Sequence, residues 1–348
     1  MPDHPTARLD IDLSALAANF RTLRARQPHT EIAPVVKADA YGLGAGRIAA
    51  HLASHGATTF FVARRDEGVR LRLDLGAGPV IYVLDGLDDP FVFAAHDLRP
   101  VLNTPLQVSL WTQAPELKAA LHIDTGMNRL GVRPDALAGL PRTPAFSLVM
   151  SHLAFADEPD HALNAAQLAA FRAAAQALPA APLSLANSAG AFLGPDYGFD
   201  VVRPGISLYG GGPFGVPHPD IRPVAHLYGR ILQVRNVKIG ESVGYGATFT
   251  ATRDMRLATV GMGYADGVLR HFGAGGTAVV KGEVRPLTGR VSMDAFSMDI
   301  SGLDVAVDDW VELFGAHQAL DAVATASGTV AYEWLTRIGA RVPRHYTD

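Results

Sequence analysis

The chain contains no cysteine. That single absence excludes disulfides, zinc–thiolate centres, iron–sulfur clusters and thiol nucleophiles. A basic excess is also missing. Thirty Lys and Arg face 34 Asp and Glu, for a net charge of −4. Nucleic-acid binders usually carry a basic face or stripe, so no nucleic-acid partner is expected. No apolar run approaches the 18 or more residues of a membrane span, so no membrane partner is expected either. The opening residues Met1-Pro2-Asp3-His4-Pro5 lack a basic n-region and an apolar h-region. The default expectation is therefore a cytoplasmic location. Charged residues make up only 18% and hydrophobic ones 48%, which excludes disorder and provides for a large core.

The 348 residues suit two domains of roughly 150 residues, or one barrel of about 250 residues plus a smaller unit. Apolar runs predict strands at Ala33–Lys37, Thr59–Ala63, Val80–Leu84, Arg99–Leu102, Ala119–Asp124, Phe146–Ser151, Leu183–Asn187 and Asp200–Arg203. Helical spacing fills the gaps, as at Arg47–His55, Asp66–Leu73, Pro105–Ala114 and Leu163–Leu178. Eight strand–helix units in about 215 residues read as an α/β chain with a (β/α)8 barrel. The pattern changes at the Gly/Pro-rich stretch from Gly210 to Asp220. Short β segments follow: Ala225–Val234, Met255–Met262, Gly276–Val280, Val284–Leu287, Ala295–Ile300 and Trp310–Phe314, with late helices at Ala319–Ser327 and Tyr332–Gly339. The expected organisation is a barrel over 12–217 and a smaller, mainly β C-terminal domain over 218–348. The alternating stretch Ala7–Ile11 is expected to join the latter.

In a barrel of this type, chemistry sits past the C-terminal ends of the strands. Those ends collect Lys37, Tyr41, Arg129, His152, Asn187, Ser188 and Arg203. A lysine at a strand end is partly desolvated, which lowers its pKa and frees an amine for Schiff-base chemistry. The other reading is an ammonium that snorkels to solvent. Ser188 and Gly205-Ile206 follow the last two strands, where barrels often hold phosphate; Ser188 could equally be an ordinary helix cap. A Schiff-base lysine facing a phosphate cup points to pyridoxal phosphate. Arg203 opposite the pyridine nitrogen would leave that nitrogen unprotonated, since a guanidinium only donates. A structural ion pair is the alternative role. His51 and His55, four apart on a helix, lack an identifiable third ligand, so no metal site is expected. The cluster Asp157, Glu158, Asp160 and His161 reads as solvated.

At these positions the sequence resembles the alanine racemases. The matching segments are APVVKADAYGLG from Ala33, IDTGMNRLG from Ile123, SHL from Ser151, ANS from Ala186, VRPGI from Val202, VGYG from Val243, GYADG from Gly263, GRVSMD from Gly289 and RVPR from Arg341. They keep the family order and span nearly the whole chain. The resemblance implies that Lys37 holds pyridoxal phosphate and acts as the base on the D side. Tyr245, from a second subunit, is implied as the base on the L side, within a homodimer of shared sites. The cofactor is implied to contact Tyr41, His152, Asn187, Ser188, Arg203, Gly205 and Ile206. Tyr346 is assigned as a further phosphate contact. Arg129 and Met293 are implied to bind the substrate carboxylate, with Tyr264 and Asp294 at the entrance. Racemisation favours opposed groups, because one base tends to return the proton it took to the same face. Arg203 acting through His152 would lower the Tyr245 pKa from its usual value near 10.

Two positions depart from the family pattern. His122 stands where many members carry a lysine that is carbamylated to orient the arginine. Ser292 stands where cysteine is common. The implied reaction is interconversion of L- and D-alanine. Three other readings share some features: a racemase of broad specificity for serine, lysine or arginine, a basic-amino-acid decarboxylase, and a non-catalytic pyridoxal phosphate carrier. The decarboxylases use a cysteine, and a carrier needs no second domain.

Overall fold

The computed structural model describes residues 5–114, 116–141, 145–273 and 275–348. Two compact units emerge: 17–208, and the residues up to Leu16 together with Tyr209–Asp348. The division falls at Leu208/Tyr209 rather than near residue 217. The Gly/Pro stretch is held in the second unit, where the Gly212 amide donates to Asp321 Oδ2 at 2.8 Å.

The chain opens with β1 (Ala7–Asp12), which belongs to the second unit, and α1 (Leu13–Arg26). The first unit then runs β2 (Glu31–Ile32), α2 (Lys37–Gly42), α3 (Ala45–Ser54), β3 (Thr59–Val62), α4 (Arg65–Leu75), β4 (Val80–Val83), α5 (Pro90–Ala95), β5 (Leu98–Leu102), α6 (Pro105–Trp111), β6 (Ala120–His122), β7 (Leu148–Met150), α7 (Ala162–Gln176), β8 (Leu183–Ser184) and β9 (Val201–Val202). Strands β3 to β8 form one parallel sheet in chain order, and β2 pairs with β9. β3 reads TFFV and is buried at every position. β-branched and aromatic residues without alternation are what a sheet covered on both faces requires. Single hydrogen bonds extend the ladders, from Phe61 N to Pro34 O at 2.9 Å and from Arg203 N to Ala186 O at 3.0 Å.

The unit is barrel-like, and the regular (β/α)8 repeat expected from sequence is only partly met. β2 ends at Ile32 and β9 at Val202, each two residues before a proline, Pro34 and Pro204. Proline has no N–H to give a ladder. After β6 and β8, 3-10 turns at Pro134–Gly139, Gly190–Phe192 and Pro195–Tyr197 stand in place of long helices.

The second unit is mainly antiparallel. It contains β10 (Ala225–Val237), β11 (Ser242–Val243), β12 (Phe249–Thr250), β13 (Met255–Val260), β14 (Thr277–Val280), β15 (Glu283–Thr288), β16 (Phe296–Asp299), β17 (Trp310–Phe314), α8 (Leu320–Ala326), α9 (Ala331–Thr336) and β18 (Arg344–Thr347). The sheet order is β13-β16-β15-β14-β17-β10-β1-β18, and the long β10 also pairs with β13. A register irregularity between Ile231 and Gln233 lets β10 serve both neighbours. β1 alternates buried and half-buried residues and lies antiparallel to β10 and parallel to β18.

Candidate active site

Lys37 is half-buried and begins α2, just after the parallel bridge between Val35 and Phe61. Its amine makes no hydrogen bond or ion pair with the described residues. Burial, with Arg129 and Arg203, pulls its pKa below the usual lysine value against the opposing pull of Glu67 and Asp85. The backbone that follows is left-handed. Ala38, Asp39, Ala40 and Tyr41 have φ of 52°, 56°, 52° and 59°. Such a conformation costs about 1–2 kcal/mol per non-glycine residue, so the turn must be held from outside. Ala40 and Tyr41 are buried. Asp39 Oδ1 accepts from Ala45 N at 2.7 Å, and Glu67 Oε1 accepts from Ala38 N at 2.7 Å.

Arg203 is buried, and its guanidinium donates to neutral acceptors. It donates to Ser184 Oγ, to Ser151 O at 2.6 Å and to His152 Nδ1 at 3.2 Å. Burial lowers its pKa to about 9, which leaves it charged at neutral pH. A guanidinium cannot accept, so His152 Nδ1 must be the unprotonated nitrogen and Nε2 carries the proton. Burial and then Arg203 hold the His152 pKa well below the usual range, keeping the ring neutral. His122 is fixed in the opposite tautomer. Asn103 Nδ2 donates to Leu84 O and Val101 O, at 2.8 and 3.0 Å, so its Oδ1 faces His122 Nδ1 at 2.8 Å. Nδ1 therefore donates and Nε2 is left as an acceptor. Burial and then Arg203 lower the His122 pKa to about 4.

Between β8 and the residues after β9 lies a polar cup. Ser188 Oγ accepts from Gly205 N at 2.9 Å and Ser207 N at 3.3 Å. Ser207 Oγ is buried without a partner. A Cβ on Gly205 would sit 2.1 Å from Tyr41 Oη, so only glycine fits. An orphaned hydroxyl, two backbone amides turned toward one oxygen and a tyrosine hydroxyl suit a phosphate group. Asn187 Oδ1 is used locally, accepting from Gly190 N at 2.9 Å.

Arg129 is exposed at the end of a tight loop. Asp124 Oδ1 shapes that loop by accepting from the Gly126, Met127 and Asn128 amides, each at 3.0 Å. The fully buried Gln167 supports it from α7. Its amide donates to Thr125 Oγ1 at 3.3 Å and His152 O at 2.9 Å and accepts from Ala154 N at 2.9 Å. Gln167, Glu67, Ser184 and Ser207 do not emerge from sequence reading. A polar residue inside the apolar face of α7 was the one available signal, at Gln167.

The remaining predicted residues lie in the second unit. Tyr245 is 73% exposed on the turn between β11 and β12. Tyr264 and Met293 are also exposed, their segments tied by bonds from Tyr264 N to Ser292 O and Ala265 N to Met293 O, both 3.0 Å. Asp294 pairs with Arg341 at 2.7 Å, and Arg341 also binds Asp266. Tyr346 lies on β18 beside Ile11. His51 and His55 pack ring to ring at 4.5 Å. His161 is not merely solvated: its Nδ1 caps α7 by accepting from Leu163 N at 3.2 Å, and its ring stacks on Phe155. No group of three metal-ligating side chains occurs among the described residues. No helix among them is long and apolar enough to cross a membrane.

A lysine amine with no partner among the described residues, just past the Val35–Phe61 bridge, and a hydroxyl–amide cup in the same barrel-like unit suit an enzyme that captures a phosphorylated carbonyl compound. The comparisons with known proteins agree with that class. Residues 11–213 match the family model "Alanine racemase, N-terminal domain" and residues 224–346 match "Alanine racemase, C-terminal domain". The alanine racemase of Rhodospirillum rubrum is 46% identical, over 99% of this chain and 96% of its own. A catabolic alanine racemase from Agrobacterium fabrum is 44% identical, over 98% and 92%. The crystal structure of alanine racemase from Bartonella henselae with covalently bound pyridoxal phosphate superposes with a TM-score of 0.94 at 37% identity, covering 99% of this chain and 100% of that one. A biosynthetic alanine racemase from Pseudomonas aeruginosa gives 0.92 at 36% identity, covering 99% and 100%. The chain belongs to the alanine racemase family.

Proposed function

We propose that this protein interconverts L- and D-alanine using pyridoxal 5′-phosphate. The observation that carries the proposal is the free amine of Lys37 in the same unit as the Ser188–Gly205–Ser207 cup. Lys37 is the attachment point, and Tyr41, Ser188, Gly205 and Ile206 hold the phosphate, with Tyr346 as a further contact. Arg203 would hold the pyridine nitrogen, and Asn187 and His152 would contact the ring. When bound, pyridoxal phosphate supplies a sink for the electron pair left on the α-carbon after its proton is removed. Arg203 cannot protonate the ring nitrogen strongly, which keeps that sink weak and disfavours transamination.

The chain's own groups do the proton work. Lys37 Nζ takes or returns the proton on the D face, and Tyr245 Oη does so on the L face. His152 keeps its proton on Nε2, the atom available to hold the tyrosine. Arg129 binds the substrate carboxylate together with Met293, and Tyr264 and Asp294 line the way in. The reading includes a homodimer in which Tyr245 of one copy completes the other copy's barrel, and a cytoplasmic location. It takes the unit 17–208 as a closed (β/α)8 cofactor domain and the mainly β unit, with strand 7–11, as the domain that delivers Tyr245.

Exchange of L- and D-alanine, with serine and lysine alongside, tests the reaction; faster turnover of serine or lysine would overturn the alanine assignment. Tyr245→Phe is expected to slow turnover by about 10²–10⁴-fold while leaving cofactor attachment intact. A variant that slows neither direction sinks the two-base scheme. Co-expression of Lys37→Ala and Tyr245→Phe chains is expected to restore about a quarter of wild-type activity through mixed dimers. No restoration would argue against shared sites.

Neutral His122, with its lone pair on Nε2, takes the place of a carbamylated lysine near Arg129. It offers no amine for carbon dioxide. Added bicarbonate should therefore leave the rate unchanged in assays of carbonate-depleted enzyme, and a clear stimulation would refute this.

A further inference from the structure

The left-handed turn after Lys37 lacks packing on one side. Val36, Ala38 and Asp39 border an open cleft of about 890 Å³ whose opposite wall carries Asp66, Glu67 and Arg70. Ala38 and Asp39 are exposed. Strained backbone beside solvent persists only where specific bonds hold it. Glu67 reaches this turn from the first turn of α4. Its Oε2 accepts from Ala63 N at 2.8 Å and Arg64 N at 3.0 Å, capping the helix, while Oε1 accepts from Ala38 N at 2.7 Å. One carboxylate thus joins the end of β3, the start of α4 and the first amide after Lys37. The three donors exhaust what a neutral side chain could serve: an amide has one acceptor oxygen and would turn its N–H group on Ala38 N or on the cap.

We propose that Glu67 is the positioning residue that holds the left-handed turn and so presents the Lys37 amine. It also acts on that amine as a charge. Of the charged groups around Lys37, Glu67 and Asp85 favour the ammonium, and Arg129 and Arg203 oppose it. Removing the Glu67 charge leaves Arg129 and Arg203 less opposed.

The proposal rests on Lys37 as the attachment point, and its test is chosen to stand apart from that reading. Full-length Glu67→Gln and Glu67→Ala are compared with wild type and with Thr104→Ala. The last removes a helix cap elsewhere, where Thr104 Oγ1 accepts from Gln107 N at 3.2 Å. Hydrogen exchange reads the turn directly. The Ala38 amide is expected to exchange at least about tenfold faster in both Glu67 variants and unchanged in Thr104→Ala. The second reading is an NMR titration of the Lys37 amine in cofactor-free protein after reductive methylation with isotope-labelled formaldehyde. Its midpoint should move to lower pH in Glu67→Gln and stay in place in Thr104→Ala. Unchanged exchange at Ala38, or a midpoint that stays or rises in Glu67→Gln, overturns the proposal. Failure of the wild type to capture pyridoxal phosphate would overturn the cofactor reading and leave these two measurements to decide the role of Glu67.

Discussion

Lys37→Ala is expected to lower alanine racemisation by on the order of 10⁴-fold or more, because one side chain is both attachment point and base. The loss should fall on kcat, since the groups assigned to the phosphate and carboxylate remain. Borohydride treatment followed by peptide mapping gives the decisive reading. Wild type should retain pyridoxal phosphate on the peptide containing Lys37, and the variant should retain none. Label that persists in the variant would place the attachment at another lysine. Thermal stability should change little, because the amine has no partner among the described residues and removing it leaves no orphan behind.

Arg203→Leu is expected to have the opposite profile, with a large loss of stability. The guanidinium is buried and satisfies Ser184 Oγ, Ser151 O and His152 Nδ1, and adds a longer contact to Leu185 O at 3.4 Å. Each buried acceptor left unpaired costs about 1–3 kcal/mol. Relief of the arginine's own desolvation returns part of that, so a net loss of about 3–5 kcal/mol is expected. For a unit of this size the melting temperature should fall by roughly 6–20 °C. Calorimetry of the cofactor-free chain checks it, and a loss below about 1 kcal/mol would mean that the acceptors find other partners. The variant should also free His152 to change tautomer, which ring nitrogen shifts in NMR would report.

The contrast between these two residues shows what could be read in advance. Both stand in the sequence as polar residues beside predicted strands, because apolar runs such as TFFV mark strands by composition alone. The second unit was equally legible, since its short strands are separated by turn residues. Strand β1 alternates buried and half-buried residues and pairs with β10. The left-handed turn was not legible. The run Ala38-Asp39-Ala40-Tyr41 contains no glycine to mark a left-handed turn, yet all four residues have positive φ. One bond to the turn, from Ala38 N to Glu67 Oε1, comes from 29 positions away. Arg203 likewise reaches Ser151 across 52 positions. Partners set by the closing of a sheet leave no local pattern. After β6 and β8 the eight-fold repeat is broken for a local reason, the prolines and glycines that favour 3-10 turns there.

The pairing of β1 with both β10 and β18 makes the first unit an insertion into the second. The N-terminal strand is a central plank of a sheet whose other strands are synthesised only after residue 208. The barrel-like unit is contiguous in sequence, whereas both partners of β1 lie on the far side of it. A fragment beginning at residue 218 would lack that plank and expose the edges of β10 and β18. The two ends of the chain run side by side as parallel neighbours, with Leu9 opposite Arg344 and Asp12 opposite Thr347. A short linker joining them would let the chain be opened at another surface loop without dividing either core.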